Sequence, residues 1–84
     1  MSIAESPPRL FDEIADLFAS CPDRKTLIGF KPSAAVQSRA RDLLQKQAEG
    51  QLAQEEEREL SELEQAELLM RLVKARVRVA GVVL

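Results

Sequence analysis

The spacing of apolar residues predicts helices along most of this chain. From Leu10 to Phe18, and again from Val36 to Leu44, apolar residues recur at intervals of three and four positions, which places them on one face of an α-helix. Ser6 as N-cap and Pro7 as first helical residue are predicted to start the first helix, which ends near Ser20. This helix holds two of the three phenylalanines and is predicted to supply most of the core.

A short helical turn and a helical hairpin are predicted to follow. The turn lies within Asp23 to Phe30, and Gly29 suits a left-handed position at its end. The hairpin covers residues 34–80, with Ser33 as the N-cap of its first arm and Gly50 as the residue that ends that arm. A short connection makes the two arms antiparallel neighbours. The predicted fold is all-α, with three main helices, a short helical turn and a C-terminal αα-hairpin that has one long helix.

The long arm, Ala53 to about Ala80, contains no Gly or Pro and is rich in strong helix formers. It would span roughly 40 Å, whereas a compact chain of this length has a radius of gyration of about 12 Å. The helix is therefore predicted to extend past its own domain, which leaves apolar surface to be covered. Glutamates from Glu55 to Glu67 start it and basic residues from Arg71 to Arg78 end it, an order that complements the helix dipole. We interpret the glutamates as a solvated helix start, because no loop or histidine supports a metal site.

On a helical wheel, the apolar arc of the long arm is nearly twice the ~100° that packing on a single neighbour requires. One face is predicted to contact the rest of the chain and a second face to contact another molecule. In the alternative, the preceding helices cover both faces and nothing is left for a partner. The predicted partner interface follows alternating steps of three and four residues, as in a coiled coil. It consists of Leu63, Ala66, Met70, Val73, Val77 and Ala80.

Length and composition limit the remaining possibilities. The 84 residues fit one helical domain, with a loose tail at 1–6 and an apolar tail at 81–84. So small a core usually needs a disulfide bond, a structural metal ion or a partner for stability. A single cysteine cannot form an intramolecular disulfide, and no histidine is present for a metal cluster. The segment after Val79 is predicted either to end the helix, with Gly81 as its stop, or to dock on a partner in extended form.

Catalysis is not expected of this chain. It has no His, Tyr or Trp, so the commonest general base is missing. Cys21 lies near a predicted helix start, but no base is evident to activate it, and we interpret it as a small apolar residue. No glycine-rich phosphate loop occurs, and neither a metal nor a cofactor is predicted.

On the first arm of the hairpin, Arg39 and Lys46 are predicted to face water.

Nucleic-acid binding is a weaker alternative. Arg71, Lys74 and Arg78 lie along one stripe of the long helix and could contact phosphates. The same stripe carries Glu64 and Glu67, and the net charge of −2 gives no general attraction to nucleic acid. No segment is long enough to cross a bilayer and no signal peptide is apparent, so a cytoplasmic location without membrane contact is expected.

Several runs of residues resemble those of a group of small uncharacterised bacterial proteins, common in cyanobacteria and other environmental bacteria. The runs are Phe11–Asp16, Phe30–Ser33 with Val36 and Gln37, Gly50–Leu52 with the glutamates after it, and Leu69–Arg76. Members often sit beside genes for HNH-type nucleases or other toxin-like proteins, which implies an antitoxin-like role. The group tends to have Thr or Ser where this chain has Ala53, so the long helix is expected to lack a side-chain N-cap. The apolar tail also departs from the group.

These observations together predict a non-catalytic protein–protein interaction module. It would act as a homodimer or as a small accessory or antitoxin-like subunit that buries its long helix on a partner. The alternative is a small DNA-binding regulator.

Overall fold

The computed structural model describes residues 7–82, with side chains from 7 to 80, and within this range the chain forms four α-helices and no strand. This confirms the predicted all-α fold, in which the second, six-residue helix is the short helical turn. The helices are α1 (Leu10–Ala19), α2 (Arg24–Gly29), α3 (Ala34–Ala48) and α4 (Gln54–Val82).

The long helix α4 is the element on which the others assemble. Each of α1, α2 and α3 packs against it. With 29 residues, α4 is about 43 Å long, and the molecule measures 49 × 35 × 18 Å. Its radius of gyration is 15.3 Å, against about 12 Å for a compact chain of this length. The prediction that the long helix extends past a compact domain is confirmed.

The core lies along one face of α4, which contributes more to it than α1 does. Half of the buried apolar residues come from α4, so the prediction that α1 supplies most of the core is wrong. Phe18 at the end of α1 is exposed, and so is Leu44 on α3. The buried residues are Leu10 and Ile14 from α1, Val36 and Leu43 from α3, and Leu60, Leu63, Ala66 and Met70 from α4.

The first helix begins later than predicted. Its N-cap is Arg9, in extended conformation and without a side-chain cap. The physical reason is Pro8, which disfavours helical geometry at the residue before it. The helix therefore cannot start at Pro7, while Ser6 and the predicted tail at 1–6 lie outside the described residues.

Gly29 does not adopt the left-handed conformation that was predicted for it at the end of α2. Gly29 is the last residue of α2 and its φ is not positive, whereas Cys21, just after α1, has a φ of 53°. The side chain of Asp23 accepts a hydrogen bond from the Thr26 backbone N–H at 2.8 Å and caps α2. Hydrogen bonding by Thr26 lowers the pKa of Asp23.

Both predicted boundaries of α3 are confirmed. The Ser33 hydroxyl accepts a hydrogen bond from the Val36 N–H at 3.2 Å. Ser33 is in turn held by α1, because its N–H and hydroxyl both donate to the carboxylate of Glu13, at 2.9 and 2.5 Å. At the other end, Gly50 has a φ of 70° and its N–H donates to the Gln47 carbonyl. The next N–H, from Gln51, donates to the Lys46 carbonyl, which completes a Schellman motif.

The ends of α4 differ in part from the prediction. Ala53 has no side chain that could cap the helix, but the Glu56 carboxylate accepts the Ala53 N–H at 3.1 Å, which is one arm of a capping box. At the other end, α4 continues through Gly81 to Val82. Gly81 is therefore not the helix stop, and the predicted apolar tail at 81–84 is not extended up to Val82. Residues 83 and 84 lie outside the described range.

Candidate interaction surface

The apolar residues of α4 divide into two faces that point in nearly opposite directions. The first face is buried in the core described above. On the second face the exposed fractions are 50% for Leu68, 46% for Leu72 and 62% for Val79. Ala75 lies on the same line and is also exposed. We name Leu68, Leu72, Ala75 and Val79 the outward stripe.

The geometry of a helix explains this division. At about 100° per residue, the outward stripe spans about 60° and its centre lies about 150° from the centre of the buried face. Its members follow one another at steps of four, three and four residues, the spacing of a coiled-coil seam. Leu69 flanks the stripe and is also exposed. The second apolar face thus remains open after α1, α2 and α3 have packed on α4.

The structure assigns the predicted partner interface mainly to the protein's own core. Leu63, Ala66 and Met70 are buried, so no surface of theirs is left for another molecule. Val73 and Val77 are half-buried and Ala80 is exposed. Both faces of α4 have coiled-coil spacing, and the predicted interface lies on the face that the shorter helices cover. The residues of the outward stripe lie in the same apolar arc of α4, outside the predicted interface.

The acidic start of α4 is used within the chain on the side that faces α3. The Arg39 guanidinium donates two hydrogen bonds to the Glu59 carboxylate, at 2.7 and 2.8 Å, and lies 3.7 Å from Glu56. The Lys46 ammonium contacts Glu56 at 2.6 Å. The lower-numbered residue of α3 contacts the higher-numbered residue of α4 and the reverse, so the hairpin is antiparallel as predicted. Arg39 and Lys46 therefore do not simply face water, and Glu56 and Glu59 are more than a solvated helix start.

These ion pairs change the ionisation of their members. The hydrogen bond from Lys46, with a further one from the Ala53 N–H, lowers the pKa of Glu56. The hydrogen bonds to Glu59 raise the pKa of Arg39. Both shifts favour the charged forms, because each ion has an opposite charge within hydrogen-bonding distance.

Five other charged residues of α4 flank the outward stripe. Glu64, Arg71 and Arg78 recur every seven residues along one edge, and Glu62 and Arg76 lie along the other edge. Of these five, only Glu62 forms an ion pair within the described part of the chain, at 3.5 Å to Arg9 with both side chains exposed. An exposed pair at this distance contributes little stability. The stripe is thus bordered by charges that remain available for a partner, acidic towards the N-terminus and basic towards the C-terminus.

The three residues predicted to contact nucleic acid do not remain equally available. The Lys74 ammonium donates a hydrogen bond of 2.7 Å to the Phe30 carbonyl, just after α2, and its side chain is half-buried. Lys74 is therefore engaged within the fold. Arg71 and Arg78 are exposed. Two separate arginines remain on this edge, where the sequence predicted a row of three cations.

Cys21 is exposed as a free thiol. Among the described residues, no group of three or more His, Cys, Asp or Glu side chains is placed to hold a metal ion. None of the described helices is both long enough and apolar enough to span a membrane.

Comparisons with protein-family models, with curated protein sequences and with solved structures each give no match for this chain. The likeness to the group of small bacterial proteins stays a prediction. The candidate function rests on the surface of α4 described above.

Proposed function

We propose that this protein is a non-catalytic protein–protein interaction module that binds through the outward stripe of α4. The observation that carries the proposal is the exposure of Leu68, Leu72 and Val79 along one line of the helix, opposite the core. Scattered apolar residues on a surface are ordinary, but a continuous line at coiled-coil spacing is what a helix presents to another helix or to a groove. Burial of this line on a partner removes it from water.

The charged edges support the same function. Charges beside an apolar stripe select the partner and its orientation, since complementary signs attract and like signs repel. The partner is another protein or a second copy of this chain. An accessory or antitoxin-like role fits a small chain whose surface is completed by a partner, and it is also what the resemblance noted above implies.

A pull-down with a matched variant tests this function. The tagged chain and its Leu68→Glu/Leu72→Glu variant are incubated with lysate of the source organism, and bound proteins are identified by mass spectrometry. Leu44→Glu is the control, because Leu44 is an equally exposed leucine on α3. We expect the natural chain and the control to self-associate or to retain the same protein, and the double variant to do neither. A monomeric chain that retains no protein in a stripe-dependent way would contradict the proposal.

Duplex DNA binding is the second candidate, and the exposed Arg71 and Arg78 favour it. Lys74 is already bonded to the Phe30 carbonyl and Glu64 lies on the same edge, which weakens the case. Phosphate contacts release counterions, so binding to random duplex DNA must weaken steeply as salt is raised. Binding with that salt dependence, abolished by Arg71→Gln/Arg78→Gln, would favour this candidate over the protein partner.

A further inference from the structure

We propose that the occupant of the outward stripe is a second copy of this chain, and that the two α4 helices pair in antiparallel orientation about a two-fold axis near Met70. This inference rests on the proposed function and identifies the partner. It is carried by the distribution of charge along α4 beside the stripe.

The signs of the charges distinguish the two possible orientations. Along the stripe's edges α4 is acidic at Glu62 and Glu64 and basic at Arg71, Arg76 and Arg78, with Arg58, one turn before Glu62, as a basic exception in the acidic half. Parallel pairing would place acidic residues beside acidic ones and basic residues beside basic ones. Antiparallel pairing places the acidic half of each helix beside the basic half of the other, which is favourable at both ends. A chain that pairs with itself can match its charges in this way only in the antiparallel orientation.

The apolar residues and the charges together fix the register. The stripe has its two leucines next to each other, and an isologous contact brings each surface patch against itself. With the axis near Met70, Leu68 of each copy faces Leu72 of the other, which gives two Leu–Leu layers at the centre. Leu69, on the edge, lies beside its own counterpart across the axis. The next layers outward pair Gln65 with Ala75.

The same register brings opposite charges together on both edges. Glu62 lies opposite Arg76 of the second copy, and Glu64 lies opposite Arg78, so the two-fold axis generates four such pairs. Arg71 is the exception, since it approaches its own counterpart. Glu67, one turn before Arg71 on the same helix, offsets part of that repulsion.

The neighbouring registers lose either the apolar layers or the charge pairs. A shift of one heptad towards the N-terminus places Leu72 opposite Ser61 and Leu68 opposite Gln65, so neither leucine has an apolar partner. A shift of one heptad towards the C-terminus keeps apolar residues opposite each other, Leu68 with Val79 and Leu72 with Ala75. It brings Arg71 and Arg78 together, however, and removes the pairs that Glu62 and Glu64 form with arginines. The shorter helices do not obstruct the pairing, because they pack on the opposite, buried face of α4.

The mass of the full chain in solution tests the self-association. We expect sedimentation equilibrium to give twice the chain mass of 9.4 kDa for the natural protein, and for the Leu44→Glu control. Leu72→Glu is expected to give the monomer mass with unchanged helical circular dichroism. A natural chain that stays monomeric at every concentration overturns the inference.

Disulfide trapping tests the orientation. In a Cys21→Ser background, chains with Ser61→Cys and chains with Val79→Cys are mixed and oxidised. The antiparallel register places positions 61 and 79 opposite each other, so we expect mixed disulfides only, since like positions are about 27 Å apart along the axis. In a parallel pair, Ser61→Cys chains alone and Val79→Cys chains alone would each form disulfides between identical positions. That result overturns the antiparallel arrangement.

The two tests separate this inference from the proposed function. A monomeric chain that captures a different protein through the stripe overturns the second copy as occupant and leaves the interaction function standing. A monomeric chain without any stripe-dependent partner overturns both. A dimer unaffected by Leu72→Glu overturns the stripe as its interface.

Discussion

Met70 and Leu72 are two positions apart on α4, yet Met70 is 5% exposed and Leu72 is 46% exposed. Side chains two positions apart are separated by about 200° around the helix axis. Met70 therefore points into the core and Leu72 points away from it. The pair marks the two apolar faces of α4. Substitution of each residue by the same charged one therefore separates folding from association.

Met70→Glu is expected to unfold the protein, because it places a carboxylate in the core, where none of the buried residues in the described range is polar. A buried, unpaired charge costs at least about 3 kcal/mol, a large part of the stability of so small a domain. Leu72→Glu is expected to change the unfolding free energy little in the monomer. Urea unfolding followed by circular dichroism measures both. Equal destabilisation by the two variants would contradict the division of α4 into two faces.

A second adjacent pair tests the packing of α3. Leu43 is 0% exposed and Leu44 is 49% exposed. Leu43→Ala removes a side chain that is fully enclosed and is expected to cost about 2–5 kcal/mol. Leu44→Ala is the matched control and is expected to cost less than about 1 kcal/mol. Thermal unfolding of the two variants measures the loss of stability that each substitution causes. A larger loss at Leu44 would mean that α3 is rotated so that Leu44 faces the core.

Local signals in the sequence predicted most of the fold. Ser33 and Gly50 fix the ends of α3 by hydrogen bonds within a few residues, so their roles are visible from the residues themselves. Pro8 carried a similar signal, since its effect on Pro7 rules out the early start of α1. Nothing in the sequence predicted the left-handed backbone conformation of Cys21, because a non-glycine residue in that region is uncommon.

The choice between the two faces of α4 depends on tertiary contacts, and for that reason a helical wheel of α4 alone could not settle it. Leu63, Ala66 and Met70 have the same kind of spacing as the outward stripe. The register of the hairpin identifies the covered face. An antiparallel turn at Gly50 brings Arg39 of α3 near Glu59 of α4. Glu59 lies on the same side of α4 as Leu63, so α3 covers that side. The charges on the two arms, considered together, would have identified the face that α3 covers.

Two glycines in different backbone conformations give opposite predictions. Gly50 has a φ of 70°, so Gly50→Ala forces a side chain into the left-handed region and is expected to cost about 1 kcal/mol, although no atom lies within 4 Å of the added Cβ. Gly29 ends a helix, its added Cβ is also free of neighbours, and Gly29→Ala is expected to stabilise by about 0.5 kcal/mol. Chemical denaturation of both variants distinguishes backbone strain from steric contact. A loss at Gly29 equal to that at Gly50 would argue against strain as the cause.

Acid is expected to weaken the fold through Glu56. Its pKa is lowered in the folded state by the Lys46 ammonium and the Ala53 N–H. A carboxyl group whose pKa is lower when folded stabilises the fold at pH values above its ordinary pKa of 4.5. That stability is lost as the pH falls through the lowered value, where the folded state also takes up the proton. The natural chain should therefore be more stable than Glu56→Gln at neutral pH, and the difference should shrink below pH 4.5.

Thermal unfolding of both proteins between about pH 7 and about pH 3 measures this difference. Glu55→Gln is the matched control, because Glu55 is the neighbouring glutamate in the first turn of α4, is exposed and forms no ion pair within the described residues. Its difference from the natural chain should vary less with pH. Lys46→Met should reduce the pH dependence at Glu56, because it removes the largest cause of the lowered pKa. If Glu56→Gln and Glu55→Gln behaved alike across this range, the bridge between Lys46 and Glu56 would not contribute to stability.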